Sequence, residues 1–413
     1  MVAMIRTSHM ALLVLTMLVC PAGAATFTMK RGINLDIWET WPGEDKWGDA
    51  NVILPFPEWR KRLGEGELKA LKAGGFDVVR IPVDPSVFLS EKTEPLREQL
   101  LESVLESARM VNAAGLKAVV DLHLIPAGGN GQIGMSEVMD DPANFDRYVE
   151  LVRQMGLTLA KEDPGQVAFE LMNEPVVDCE PDAAKAWPER LKRLYAAARS
   201  SATRLTLVLS GSCWAGAEGL AALDPKQIPD DNVIWTFHSY QPFLLTTQGA
   251  TWAGDFIRYV TGLPYPPYAV PRAELDAALD KVRTKIRAEA PLLRRAGMLA
   301  YLDEQIALVD SKEKLEGELD APFRQVDAWA KKNGIAAENI YLGEFGMIRQ
   351  EYDNPYVMPG AWRAAYVSDM IARAEAHGFA WSIWGYGGAF GIVDEFEGRK
   401  AEPDVLEVVR GLK

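Results

Sequence analysis

Residues 96–122, LREQLLESVLESARMVNAAGLKAVVDL, combine a helical pattern, a glycine and a strand-like run. Val104, Ala108 and Val111 recur at intervals of four and three residues, which is the period of one helix face. Gly115 then stands where a helix commonly ends. The run that follows is apolar and β-branched, as in a buried strand. This stretch therefore predicts one helix–strand unit of a parallel sheet.

The same unit recurs along most of the chain. The predicted strands are Arg31 to Leu35, Phe76 to Pro82, Leu116 to Leu122, Val167 to Met172, Leu205 to Leu209, Val233 to Phe237, Asn339 to Glu344 and Phe379 to Trp384. Eight strands alternating with helices, without a glycine-rich phosphate turn after the first, indicate an α/β fold of the (β/α)8 TIM-barrel type. We expect a single catalytic domain over residues 25–413, with an extended insertion between strands 6 and 7, within about 241–338.

Composition narrows the range of partners. Asp and Glu number 58 against 44 Lys and Arg, so the net charge is −14. No basic run opposes this charge, and nucleic acids or anionic lipid surfaces would be repelled. Hydrophobic residues make up 48% and charged residues 25%, as in soluble globular proteins. A neutral substrate fits this chain best.

The N-terminus has the three parts of a secretory signal peptide, predicted to span residues 1–24. Arg6 precedes an apolar run of residues 10–19, and small residues follow at 22–24. The run has about ten residues, well short of the roughly 20 that cross a membrane. We therefore expect no membrane span and a secreted or periplasmic protein. In an oxidising compartment, Cys179 and Cys213 can form a disulfide or remain two buried thiols.

Polar and aromatic residues gather at the predicted strand ends, where TIM barrels build their active sites. The residues that stand there are Arg80, His123, Asn173, Glu174, His238, Tyr240, Glu344 and Trp384. A single buried glutamate often pairs with an arginine of the barrel wall. Two glutamates on opposite strands suit the hydrolysis of a glycosidic bond, which needs a proton donor and a nucleophile or base. We predict the short carboxyl separation of about 5 to 5.5 Å, which belongs to a retaining mechanism.

Two segments carry a family resemblance. Leu-Met-Asn-Glu-Pro at 171–175 and Gly-Glu-Phe-Gly at 343–346 resemble glycoside hydrolase family 5, in the cellulase superfamily of retaining glycosidases. The likeness runs from Arg31 to Ile392 and is weakest after Gln241. It implies that Glu174 is the acid/base and Glu344 the nucleophile.

The remaining strand-end residues receive supporting roles. Arg80 and Tyr240 would favour the ionised form of Glu344, and His238 would lie near Glu174. Asn173 would bind the sugar 2-hydroxyl and His123 a neighbouring hydroxyl. Trp384 would form a stacking floor for the sugar. Trp38 and Trp41 fit either a sugar subsite or core packing. A metal-dependent hydrolase would show paired histidines at a strand end, so we expect neither metal nor cofactor.

These observations predict a secreted hydrolase of β-glucan, with endo-β-1,4-glucanase as the leading activity. A β-1,3-glucanase, a β-mannanase or another β-glycan hydrolase with the same mechanism is the alternative. A sugar-binding barrel without activity is a further alternative, although both glutamates are present. The expected partner is a neutral β-linked polysaccharide or oligosaccharide, bound by a monomer.

Overall fold

The computed structural model describes residues 26–124, 135–175, 179 and 184–412. The predicted signal peptide lies outside these residues. Eight parallel strands close into a barrel in chain order. The strands are β1 (Arg31–Asn34), β2 (Val78–Val83), β3 (Lys117–Leu122), β4 (Val167–Glu170), β5 (Thr206–Ser210), β6 (Val233–His238), β7 (Ile340–Phe345) and β8 (Ala380–Ile383). The predicted TIM barrel is confirmed, and each strand begins or ends within two residues of its predicted limits.

Helices form the outer layer and the connections. The longer ones are Glu65–Gly74, Arg97–Ala113, Pro142–Leu159, Trp187–Ser201, Ala217–Ala221, Arg272–Glu289, Arg295–Ala307, Lys312–Asn333, Gly360–His377 and Asp404–Gly411. Short helices cover Ala50–Ile53, Ser86–Leu89, Ser136–Met139, Ser212–Ala215, Phe243–Thr246 and Gly254–Ile257.

Local sequence sets the helix limits. The Asp141 side chain accepts hydrogen bonds from the backbone N–H groups of Ala143 and Asn144, so it caps the helix Pro142–Leu159. Gly378 ends another helix with φ +74°, a left-handed conformation that glycine adopts without strain. Such capping residues set where a helix begins and where it ends, before the chain enters the next strand.

The barrel interior changes from apolar to charged along the strands. Val78, Val119 and Ala168 belong to a buried cluster inside the barrel. Side chains two residues apart on a strand share a face, so Arg80 and its neighbours occupy the next layer toward the carboxyl ends. A separate, larger cluster packs the outer strand faces against the helices. The charged layer thus rests on an apolar floor at the mouth of the barrel.

The long connection between β6 and β7 has two parts. Its last helix, Lys312–Asn333, belongs to the outer layer, because Phe323 packs edge-on against Phe237 of β6 at 5.7 Å. The first part lies against the loop after β7, where Ile348 N–H donates to the Thr246 carbonyl at 2.8 Å. The helix Lys312–Asn333 thus serves as the outer-layer helix, and the remainder of the connection is additional material within the predicted range. The single-domain boundary of 25–413 stays a prediction.

Two further features concern the chain as a whole. Cys179 and Cys213 form a disulfide, with Cα atoms 4.6 Å apart. This decides between the two alternatives that the sequence left open. Among the helices in the described part of the chain, none has the length and apolar character needed to cross a membrane.

Candidate active site

Arg80 is the centre of the charged layer. Its guanidinium contacts three carboxylates: Nη1 to Glu344 at 2.7 Å, Nε to Glu170 at 2.7 Å and Nη2 to Asp121 at 2.8 Å. Nη2 also donates to the Asn173 side-chain oxygen at 2.9 Å. Arg80 is fully buried, so these acceptors replace the water it lost. The rigid fork of the guanidinium fixes the positions of these partners.

Glu344 lies at the end of β7 and is held at both oxygens. Oε1 accepts from Arg80, and Oε2 accepts the Tyr240 hydroxyl at 2.8 Å. The Nδ1 atoms of His238 and His123 lie 3.8 Å from its oxygens. Burial alone would raise the pKa of Glu344, but the neighbouring His238, Arg80 and His123 charges and the Tyr240 hydrogen bond lower it to about 2. This carboxyl is therefore ionised at neutral pH.

Glu174 faces the cleft just beyond β4. Its side chain is 24% exposed, against 4% for Glu344. Oε1 lies 2.9 Å from His238 Nδ1. The pKa of His238 is above its usual range, because the Glu344 and Glu174 carboxyls outweigh the lowering effect of burial. One oxygen each of Glu174 and Glu344 lie within 4.8 Å of one another. A separation this short suits a direct attack on the sugar and leaves no room for an intervening water.

A ring of further side chains surrounds the two carboxyls. Asn173 Nδ2 lies 3.2 Å from His123 Nε2, and the His123 ring stacks on Trp384 with centroids 5.2 Å apart and planes 16° from parallel. Trp384 is partly exposed. A Cβ on Gly346 would lie 2.2 Å from the Trp384 carbonyl oxygen, so only glycine permits this approach of the two loops. Trp384 is thus fixed at the mouth.

The two tryptophans after β1 lie elsewhere. Trp38 is 4% and Trp41 6% exposed. Their indole N–H groups donate to the backbone carbonyls of Arg60 at 3.2 Å and Asp84 at 3.0 Å. This placement favours the packing alternative, and a role in substrate binding stays a prediction for both.

One buried acid at the mouth was not among the predicted site residues. Asp36 follows β1 and accepts the Gly387 N–H at 2.9 Å. Burial raises its pKa to about 7, against the lowering effect of backbone hydrogen bonds from Gly387, Asp36 and Tyr386. It borders a cavity of about 160 Å³ whose lining also includes Trp59 and Tyr386. No local pattern marks Asp36, because the loop that buries it comes from β8.

Asp121 lies two residues before His123 and Glu170 lies four residues before Glu174, so both are lower in the barrel. The structure makes them partners of Arg80. Burial raises the pKa of Glu170 to about 7, although the Arg80 charge opposes this. Each is an even number of residues from His123 or Glu174, which indicates that its side chain also points into the barrel.

Two groups in the described residues bring potential metal ligands within 4.8 Å of one another: Glu174, His238 and Glu344, and Cys179, Cys213 and Glu218. The sulfurs of the second group are bonded to each other. In the first, His238 Nδ1 already contacts Glu174. The expectation that the chain uses no metal or cofactor stays a prediction.

Comparison with known proteins decides the family. The profile of Cellulase (glycosyl hydrolase family 5) matches residues 58–389, most of the chain. The protein belongs to glycosyl hydrolase family 5. The predicted family and the predicted enzyme class, a glycoside hydrolase with the retaining mechanism general to this family, are confirmed.

Its curated relatives differ in length. Endoglucanase C of Acetivibrio thermocellus is 27% identical over 362 residues, which cover 87% of this chain and 91% of the relative. Endoglucanase 3 of Fibrobacter succinogenes is 22% identical over 80% of this chain, and the match spans about half (47%) of that relative.

Solved structures share the fold. Cel5A of Thermotoga maritima in complex with cellobiose has a TM-score of 0.61 at 21% identity, covering 92% of this chain and 97% of that one. The cellulose synthase subunit CcsZ of Clostridioides difficile has a TM-score of 0.62 at 22% identity, covering 92% and 99%. These likenesses support the barrel architecture of this family member.

Proposed function

We propose that this family 5 enzyme is a secreted, monomeric endo-β-1,4-glucanase that acts by double displacement, with Glu344 as nucleophile and Glu174 as acid/base. The observation that carries the proposal is the pair of carboxyls within 4.8 Å at the barrel mouth. Glu344 is buried and ionised at neutral pH, and Glu174 is open to the cleft.

In the first step, Glu344 attacks the anomeric carbon. Arg80 and the Tyr240 hydroxyl hold its two oxygens, so the carboxylate is oriented before the substrate arrives. Burial removes most of the water that would otherwise solvate the charge. The product of this step is a glycosyl-enzyme ester on Glu344.

Glu174 donates a proton to the departing glycosidic oxygen as that bond breaks. It then takes a proton from the water that attacks the glycosyl-enzyme. The contact with His238 Nδ1 fixes the carboxyl while one side remains open to the substrate. The water enters from the face that the leaving group vacated, so the same carboxyl serves both half-reactions.

Asn173 and Trp384 bind the reacting sugar, and His123 supports both of them. The Asn173 oxygen accepts from Arg80, and one of its two N–H groups points to His123, which leaves the other for the sugar 2-hydroxyl. This hydrogen bond strengthens as positive charge develops in the ring. Trp384, supported from behind by His123, offers an aromatic face to the sugar C–H groups.

The substrate class rests on the family and on the names of the relatives. The cellulase profile and the two endoglucanases support a β-glucan endoglucanase. The β-1,4 linkage is the finer part of the proposal. An uncharged glycan also suits a chain with a net charge of −14, because no positive patch is needed.

A substrate panel tests the specificity. Initial rates are measured on carboxymethyl-cellulose, laminarin, β-mannan and cello-oligosaccharides of three to six units. We expect the highest kcat/KM on the β-1,4-glucans, with a rapid fall in viscosity of carboxymethyl-cellulose. Hydrolysis of laminarin or mannan that is faster than that of the β-1,4-glucans would reject the proposed β-1,4 specificity. Absence of activity on all four substrates would reject the proposed glucanase function.

Export and oligomeric state are tested separately. Mass spectrometry of the protein recovered outside the cytoplasm should give a mature chain that begins at Ala25. Sedimentation should give the mass of one chain. An uncleaved N-terminus or a stable dimer would contradict the corresponding part of the proposal.

A further inference from the structure

We infer that the Cys179–Cys213 disulfide positions the acid/base Glu174 and is therefore needed for proton donation as well as for stability. The inference rests on the proposed role of Glu174. It concerns the loops after β4 and β5, which lie side by side at the barrel mouth.

Glu174 has an unusual backbone conformation. Its φ is +32°, in a region that residues other than glycine seldom occupy. Such a conformation persists only where surrounding contacts hold it. The side chain contributes its contact with His238, but the backbone after Glu174 needs a partner of its own.

The loop after β5 supplies a rigid anchor. A Cβ on Gly211 would lie 2.1 Å from a backbone atom of Gly219, and a Cβ on Gly219 would lie 2.0 Å from the Ser212 carbonyl oxygen. The two backbone segments are therefore in direct contact. Cys213 and Ala215 in this loop are buried. These contacts restrict the movement of the loop.

Two links join this anchor to the segment that carries Glu174. The Trp214 N–H donates to the carbonyl of Pro175, the residue directly after Glu174, at 3.2 Å. The disulfide makes the second link at Cys179, four residues farther along the chain. Together they tie both Pro175 and Cys179 to the loop after β5. A proton donor must lie within hydrogen-bond reach of the leaving oxygen, so small displacements reduce catalysis.

The surroundings of the sulfur atoms favour a permanent bond. A Glu218 carboxylate oxygen lies 3.1 Å from Cys213 Sγ and 3.8 Å from Cys179 Sγ. Reduction produces thiolates, which a neighbouring negative charge destabilises. The carboxylate therefore slows the attack of an external thiol on this disulfide.

The test separates proton donation from general damage. The double variant Cys179→Ser/Cys213→Ser is compared with the wild type on aryl β-cellobiosides. A dinitrophenolate leaves without a proton, whereas phenol needs one. We expect kcat/KM on the phenyl substrate to fall by about tenfold or more, and on the dinitrophenyl substrate by less than about twofold.

Two reference variants make the outcome decisive. Glu174→Gln should show the same selective loss, only larger. Val405→Ala removes buried volume in the helix Asp404–Gly411, which packs on the outer helices, and should lower both rates equally or neither. If the double variant does not fold, wild-type protein reduced by a phosphine and checked for two free thiols replaces it.

The results distinguish the two proposals. Suppose that Glu174→Gln loses kcat/KM selectively on the phenyl substrate. If the disulfide variant then keeps the wild-type kcat/KM on both substrates, or loses it equally on both, this inference alone is overturned. Absence of selectivity in Glu174→Gln would overturn the proposed acid/base role, and this inference with it.

Discussion

Replacing Tyr240 by phenylalanine removes one defined contact of the proposed nucleophile. The Tyr240 hydroxyl donates to Glu344 Oε2 at 2.8 Å. A hydrogen bond to a charged group contributes about 1.5 to 3 kcal/mol, which corresponds to roughly one to two pKa units for the ionised carboxylate. The Glu344 pKa, about 2 in the wild type, should therefore rise to roughly 3 to 4 in Tyr240→Phe.

The pH dependence of kcat/KM reports this change, because it follows ionisations of the free enzyme. The acid limb of the profile should move to higher pH by about one to two units. Circular dichroism at each pH checks that the variant is folded. Tyr366→Phe is the matched control, since its buried hydroxyl contacts the Ser239 carbonyl at 3.4 Å and not Glu344. An acid limb that stays in place in folded Tyr240→Phe would refute the assigned electrostatics.

Three further predictions concern other parts of the site. Burial raises the Asp36 pKa from 3.8 to about 7, so the stability that the protonated group contributes at low pH is lost progressively as pH rises to 7. Urea unfolding should show that the wild type loses at most about 3 kcal/mol more than Asp36→Asn between pH 5 and pH 8.5. Trp384→Ala should raise KM for cellotetraose about tenfold while the melting temperature changes little. An unchanged KM would contradict the stacking of Trp384 on the sugar. Removing the Cys179–Cys213 link, which spans 34 positions, should cost about 3 to 4 kcal/mol, and calorimetry showing no destabilisation would contradict this.

Much of the barrel is readable from the sequence because its signals are local. The run at 117–122 is β-branched and follows a glycine, and its strand forms where predicted. The contact of Arg80 with Glu344 was also predictable, because the carboxyl ends of parallel strands meet at one mouth. The environments of Trp38 and Asp36 were not, because each depends on segments distant in the chain.

The limits of the insertion show the same difficulty. The helix Lys312–Asn333 has the pattern of any amphipathic helix, and only its packing on Phe237 assigns it to the outer layer. The disulfide was undecided for a related reason, since the spacing of two cysteines says nothing about the distance between their loops.

The most direct test of the proposed mechanism is the identity of the residue that bonds to the sugar. The enzyme is incubated with a 2-deoxy-2-fluoro-β-cellobioside that carries a dinitrophenyl leaving group, which slows the second step and lets the ester accumulate. Peptide mass spectrometry then locates the added fluorinated cellobiosyl group. We predict that it lies on Glu344, in the segment Gly343 to Gly346. A label on another residue of the folded, active enzyme would contradict the account.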